Sequence, residues 1–557
     1  MLIMKIKVLM GLLISVLFLT IPSFANEKNI IKVGISNQSF SAWEYKTADF
    51  ISDNIIKIVD MSQNTSLEDI KANTQITIEF INNAYNVLLD NKLKYENLSG
   101  PLLLSSNAPI GIVNLNRKGT PAKYKGMIEI RTSKSNNGFN IVNVIDIDNY
   151  LRGVVPNEMP VSFGLEALKA QAIAARNYAT NASISPNYDV VDSTASQVYY
   201  GANSYREISD NAVLKTKGIY ALYRNKPITA LYFSTSPGIT DDWDDVFSDG
   251  FNKGIHPYLK PRYDFDSQRP LKSEKEVEEF YLRNDNGLDT NSPKFRWSVE
   301  FDKSELENLL TQTLVQQSNA GLVTPKYDGS IPITGVKEIK PIHRTISGKI
   351  TELSISTDIG EFKVKKELGI RRVLKKNGAM LPSANFFIKT SEDDEKKGIF
   401  GIFDIEGNYP KKFMLYGGGF GHGVGMSQFG AYAMAKKGKK YPEILHHYYT
   451  NIILSTIPKE VYYNEYNVNY NSVFYFEPNI YKEVYLFINN HKNATEFNFK
   501  INNIEFNNTS EFANNRLIKI NITQYLKEGL NTISFQPLNY KNKGKTVTYQ
   551  VEFINGK

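Results

Sequence analysis

The sequence predicts an α+β protein, in which a mixed, β-rich domain with a long buried helix is followed by a C-terminal β-sandwich. Three observations carry this reading. Short runs rich in β-branched and aromatic residues, separated by turn residues, fill residues 30–147 and return after about residue 473. Residues 162–182 contain no proline, have one glycine near the start and are dominated by Ala and Leu, which is strong helix composition. The chain's 557 residues exceed one ordinary core and suggest about three domains.

In chain order, Lys5 and Lys7 precede an apolar run from Val8 to Ile21, and Ser23-Phe24-Ala25 supplies small residues at a cleavage spacing. Residues 1–25 therefore read as a secretory signal peptide, with a retained membrane anchor as the alternative. Strands are expected over Ile30 to Ile35, Ile55 to Val59, Ile76 to Ile81, Ala84 to Leu89, Ile110 to Leu115 and Met127 to Thr132. Phe139 to Ile147 largely alternates apolar and polar positions.

The chain then reaches Asn149-Tyr150-Leu151-Arg152-Gly153-Val154-Val155-Pro156-Asn157-Glu158-Met159-Pro160. The segment through Val155 is β-rich, and the two prolines disfavour a helix across the connection, so Glu158 is expected in a stiff turn. Ser162 is the candidate N-cap of the long helix. Leu165, Leu168, Ala172, Ala175 and Ala179 recur at helical steps and should face the core, with Lys169 and Arg176 elsewhere and Glu166 a surface partner of Lys169. A carboxylate at the mouth of a buried helix can have its pKa raised by desolvation, as a general acid requires; the plainer alternative is a Glu favouring the helix dipole.

Further on, a helix is expected over Ile208 to Thr216 and a strand over Ile219 to Tyr223, followed by an apolar strand running into the hydroxyl-rich turn Ser234-Thr235-Ser236. Asp241, Asp242, Asp244 and Asp245 lack the glycine and terminal glutamate of an EF-hand loop and read as a solvated acidic loop. Ser304 to Gln317 reads as a helix, and Ile350 to Ile355 with Phe362 to Val364 as a hairpin. Gly417-Gly418-Gly419-Phe420-Gly421-His422-Gly423-Val424-Gly425 demands tight turns or close approach. It lacks Gly-Lys-Ser/Thr and the dinucleotide spacing, which argues against phosphate binding. The helix from Ser427 to Lys437 could aim backbone donors and His422 into a cleft, although a lone histidine also serves structural roles.

Composition narrows the functional classes. Charged residues make up 22% and hydrophobic ones 41%, which excludes general disorder and a bundle of membrane spans. With no cysteine there are no disulfides or thiolate metal sites. The net charge of +7, two units of it in the signal peptide, is too dilute for a nucleic-acid partner.

Four motifs in order, Tyr150 to Met159, Glu166 to Ala172, Gln197-Val198-Tyr199, and Gly421 to Gln428 with Gly430-Ala431, resemble the stage II sporulation protein D and amidase-enhancer family of bacterial cell-wall proteins. Weaker family-like pieces are Ser347 to Leu353, Ile370 to Leu374 and Leu381-Pro382-Ser383. The resemblance spans roughly Ile31 to Ser455. It implies a catalytic-type family domain over 26–461, with 268–391 as a protruding subdomain, and leaves 462–557 outside as an accessory β-sandwich for wall or glycan attachment.

The resemblance implies a lytic transglycosylase that cleaves the MurNAc-GlcNAc bond of peptidoglycan glycan strands to 1,6-anhydro ends, in cell-wall remodelling or sporulation, with Glu158 as catalytic acid. The alternative is a non-catalytic glycan-binding enhancer whose partner is a cell-wall amidase. Arg152, Gln171, Ser234, His422 and Gln428 are candidates to line the sugar site, each with a structural alternative. Zinc-binding members carry histidine and cysteine just before the Gln-Val-Tyr motif, where this chain has Ala195 and Ser196, so neither metal nor cofactor is expected. The mature chain is expected to be soluble in the cell wall, periplasm or extracytoplasmic space.

Overall fold

The computed structural model describes residues 29–264, 269–284, 287–391, 409–462, 470–490, 498–506, 517–535 and 546–555. The expected signal peptide and most of the expected 462–471 linker lie outside them. The architecture is mixed α+β, and none of the described helices is long and apolar enough to cross a membrane.

Two sheets built from residues 30–146, with the short strand Val190–Val191 on one edge, form the N-terminal part. In one, Ile30–Ile35 lies between Val190–Val191 and Phe139–Asp146, and the order continues through Met127–Thr132, Leu102–Ser106, Ile56–Asp60 and Thr65–Ser66. In the other, Thr47–Ser52 lies between Ile110–Arg117 and Ile76–Ile81, flanked by Thr120–Tyr124 on one side and by Ala84–Leu89 and Lys92–Leu98 on the other. Phe139–Ile145 is buried at every position instead of alternating, because it is a central strand covered on both faces.

The segment after this strand corrects the sequence reading. Ile147–Glu158 is a helix with Pro156 inside it, and Glu158 is its last residue instead of part of a turn. Asp146 caps it by accepting from the Asn149 N–H at 3.0 Å. Buried Ile147, Tyr150, Leu151, Val154 and Val155 follow helical spacing, and burying that stripe outweighs the β propensity of its members. Pro156 falls in the last turn, where only two helical residues follow it. Met159, held extended before Pro160, ends the helix.

The long helix spans Leu165–Asn181, and its N-cap is Gly164 at φ 87°, not Ser162, which sits in the short turn Val161–Phe163. Leu168, Ala172, Ala175 and Ala179 are buried as expected. Lys169 and Arg176 are buried too, contrary to expectation, and both are paired. Lys169 Nζ donates to Glu166 Oε1 at 3.0 Å and to Glu477 Oε2 at 2.7 Å, while Arg176 Nη2 donates to Asp148 Oδ1 at 3.2 Å. The helix is enclosed nearly all round, so its cations need buried partners.

A second hydrophobic core, from Phe301 to Leu415, joins the helix Lys303–Asn319 to the hairpin Ile350–Thr357 and Gly360–Lys365. Farther along, Thr546–Asn555 pairs with Ile453–Ser455, Lys459–Tyr462 and Tyr481–Asn489 in one sheet that also includes Tyr220–Tyr223. A facing sheet holds Tyr470–Phe476, Gly529–Phe535, Phe499–Ile501 and Ile504–Phe506. Phe535 stacks on Tyr549 at 4.3 Å between the two sheets. The main core runs from Ile31 to Phe553 without a break at residue 462.

Candidate active site

Glu158 lies where the first helix ends against the Gln197-Val198-Tyr199 segment. Its Oε1 accepts the Val198 N–H at 2.5 Å, and the side chain remains partly exposed. Close approach of the two elements is set by Gly153, where an added Cβ would lie 2.5 Å from the Tyr199 ring. Tyr199 is fixed by donating to Asn143 Oδ1 at 2.7 Å and by packing on Tyr150 at 5.0 Å.

Burial pushes the Glu158 carboxyl up to about 7, opposed only in part by the Val198 hydrogen bond, and no other carboxylate adds to the shift. Phenols lie within reach of its charge: Tyr150, Tyr178, Tyr200 and Tyr232 all have raised pKa values, with burial the largest cause and the Glu158 charge adding to each. Such a setting favours a neutral acid near neutral pH while allowing it to ionise.

Gln197, fully buried, organises two of these phenols. Tyr150 donates to its Oε1 at 3.0 Å, and its Nε2 donates to the Tyr232 hydroxyl at 2.8 Å and to Ala175 O at 3.3 Å. The motif containing Gln197 is evident in the sequence, but its role as a bridge is not. A glutamine amide can hold two hydroxyls and a carbonyl at once, and only the fold shows which groups converge on it.

Tyr232 links Glu158 to the glycine-rich loop. Tyr232–Phe233 pairs in parallel with Met426–Ser427. His422 Nδ1 accepts the Val424 N–H at 3.1 Å, which places the ring proton on Nε2, 3.0 Å from the Tyr232 carbonyl it bonds. Burial, and then the Lys349 charge, push His422 down to about 3, so it is neutral and occupied as a strut. Behind the loop, Lys349 Nζ lies 3.5 Å from Asp241 Oδ2, both side chains buried, and a Cβ on Gly423 would fall 2.9 Å from that oxygen. The aspartates expected as a solvated loop are thus in part structural, since Asp241 is buried and Asp242 caps the helical turn Trp243–Val246 through the Asp244 N–H at 2.9 Å. The pairing of Asp241 with Lys349, more than a hundred residues on, has no local signal.

The same seam gathers three further candidates. Ser234 follows the Tyr232–Phe233 strand, and its carbonyl accepts the Phe429 N–H at 3.1 Å. Gln428 opens the helix Gln428–Lys436 and reaches Gln171 Oε1 at 3.5 Å. Gln171 is fully buried on the long helix, one turn before Ala175. Arg152 is held elsewhere: it donates to Asp210 Oδ2 at 2.5 Å, lies 4.2 Å over the Tyr205 ring, and lines a separate cavity of about 680 Å³ with Asp146, Asp148 and Lys217.

Among the described residues no three His, Cys, Asp or Glu side chains gather as metal ligands. The Ser196 hydroxyl accepts the Val191 N–H at 3.1 Å.

A family model described as stage II sporulation protein matches residues 135–223, which contain Glu158 and Gln197, and one described as a domain of unknown function matches residues 245–425. The stage II sporulation protein D of Bacillus amyloliquefaciens is 32% identical over 330 residues, covering 56% of this chain and 74% of that protein. An uncharacterized protein of Brachyspira hyodysenteriae is 30% identical over 322 residues, covering 56% of this chain and 67% of its own length. The amidase enhancer of Bacillus subtilis (strain 168) is 29% identical over 319 residues; that match covers 55% of this chain and only 40% of the enhancer.

Proposed function

Since the chain belongs to the stage II sporulation protein D family, we propose that it acts on the bacterial cell wall as a lytic transglycosylase of peptidoglycan glycan strands. The observation that carries this reading is a single carboxyl, Glu158, raised to about 7 among phenols without a second carboxylate contributing. Retaining and inverting glycosidases use two carboxyl groups, one to protonate the leaving oxygen and one to attack or to activate water. A transglycosylase needs one. Neutral Glu158 gives its proton to the oxygen bridging N-acetylmuramic acid and N-acetylglucosamine as an oxocarbenium-like centre develops. The resulting carboxylate then accepts the proton of the muramic C6 hydroxyl, whose oxygen bonds to C1 and closes the 1,6-anhydro ring. No water is consumed, and Glu158 ends as it began.

In this reading the expected site of action is outside the cytoplasmic membrane, and the partly exposed Tyr178, Tyr200, Tyr232 and Ser234 would orient the sugars while buried Gln171 and Gln428 brace the seam behind them. The likeness to an amidase enhancer supports a second reading, in which the same site grips glycan without cutting it and the partner is a wall amidase. Turnover of purified glycan strands by wild type and Glu158→Gln tests the choice. Glutamine keeps the Val198 hydrogen bond but cannot donate and then accept a proton, so the rate should fall about 10²- to 10⁴-fold. An undiminished rate would remove Glu158 from the chemistry, whereas wild-type binding without release of product would favour the enhancer reading.

A further inference from the structure

Beside Glu158, on the side of the N-terminal sheets, Tyr200 meets Phe40 in an aromatic corner. Tyr200 is two residues beyond Val198, whose N–H holds Glu158, and its ring centre is 5.9 Å from that of Phe40 at an interplanar angle of 40°. Both rings are partly exposed. Phe40 sits at φ 57°, a conformation bulky side chains avoid, so surrounding contacts must impose it. They are in place: the Asn37 carbonyl accepts the Phe40 N–H at 3.1 Å, and Gln38 Oε1 accepts the Asn116 N–H at 2.8 Å, tying the loop to the neighbouring hairpin. The Arg117 guanidinium, buried and paired with Asp192 at 2.7 Å, lies 4.3 Å from the Phe40 ring centre.

We propose that Phe40 and Tyr200 form a stacking subsite for a sugar unit adjoining the bond at Glu158, with Lys118 taking an acidic substituent on that unit. This rests on the glycan reading above. Aromatic faces pack against apolar ring faces at little entropic cost, which suits an extended, repeating ligand. The charge is complementary as well. Lys118 Nζ stands 5.8 Å from the Tyr200 ring centre, and both Lys118 and Arg206 are exposed. Partial desolvation, and then the Arg206 charge, lower the Lys118 pKa, and an anion beside the amine would offset both.

Binding is measured on the full mature Glu158→Gln protein, so that no glycan is consumed, with two probes: a muramic-acid-containing tetrasaccharide and neutral chitotetraose. Phe40→Ala and Tyr200→Leu should each weaken both probes about 10-fold, and Phe40→Trp should restore binding. Lys118→Ala should weaken only the acidic probe. Circular dichroism and thermal melts identify any variant that fails to fold, and Phe40→Trp with Tyr200→Leu then carries the comparison. Unchanged affinity for both probes in folded Phe40→Ala and Tyr200→Leu proteins overturns the subsite while leaving cleavage by the wild type unaffected as a question. The expected losses, found alongside a wild type that releases no product, uphold the subsite and overturn the transglycosylase reading instead.

Discussion

Glu158 accepts a backbone hydrogen bond from Val198 in a partly exposed position near several phenols, and its raised pKa links folding to pH. Its pKa is about 7 in the fold against an ordinary 4.5, so between these values the native state holds the proton more tightly than the unfolded chain. Stability from this group is complete below about 4.5 and is lost as pH rises to about 7. At about 1.4 kcal/mol per unit, the loss is at most about 3.5 kcal/mol. Denaturant unfolding should therefore show Glu158→Gln gaining on wild type by up to that amount between pH 4 and pH 8; a constant difference would mean the carboxyl is not raised. Cleavage by wild type should also fall above about pH 7 as the acid form is depleted, and a rate that kept rising to pH 9 would contradict a neutral donor. At this scale the sequence singled out Glu158 and the Gln197 motif but not the bridging role of Gln197, since a bridging amide is defined by groups at positions 150, 175 and 232 that only the fold unites.

The first helix shows how an element can be misread with the right residues in view. Val154, Val155 and two prolines suggested a strand and a turn, yet Ile147, Tyr150, Leu151, Val154 and Val155 already stood at helical spacing. Pattern outweighed composition, and a proline in the last turn proved tolerable. The long helix was legible from its alanines, but its buried Lys169 and Arg176 were not, because Glu477 and Asp148 pair with them from other elements. Contact between the first helix and the Gln-Val-Tyr segment depends on Gly153. Ala normally stabilises a helix interior relative to Gly by up to about 1 kcal/mol. Here the new methyl would meet a Tyr199 ring that is fully buried and hydrogen-bonded, with the Gly201 carbonyl 3.1 Å away. Gly153→Ala should instead destabilise by about 1–3 kcal/mol and lower activity with it, as thermal melts and turnover would show. A more stable Gly153→Ala protein would mean that the two elements have room to separate.

Over the whole molecule, local patterns located strands such as Ile30–Ile35 and Ile76–Ile81, missed others such as Thr47–Ser52 and Leu102–Ser106, and gave a partner only in the hairpin of Ile350–Thr357 with Gly360–Lys365. The C-terminal runs were readable as alternating strands, whereas the pairing of Thr546–Asn555 with Ile453–Ser455 spans about a hundred residues and leaves no periodic trace. The Lys169–Glu477 pair ties the same region to the long helix, and the contact between the Tyr441 and Tyr481 hydroxyls ties it to the helix Tyr441–Tyr448. We propose that residues 470–555 stabilise the body that carries Glu158. A chain ending at residue 462 should lose several kcal/mol of stability, since Lys169 would keep its burial without one of its carboxylates; an unchanged melting temperature would restore the picture of an independent accessory domain. The central claim is that one carboxyl performs both proton transfers so that the strand closes on itself. Intact-mass analysis of products from purified glycan strands tests it most directly: the account predicts muramic ends one water lighter than hydrolysed ends, and products that have gained water would contradict it.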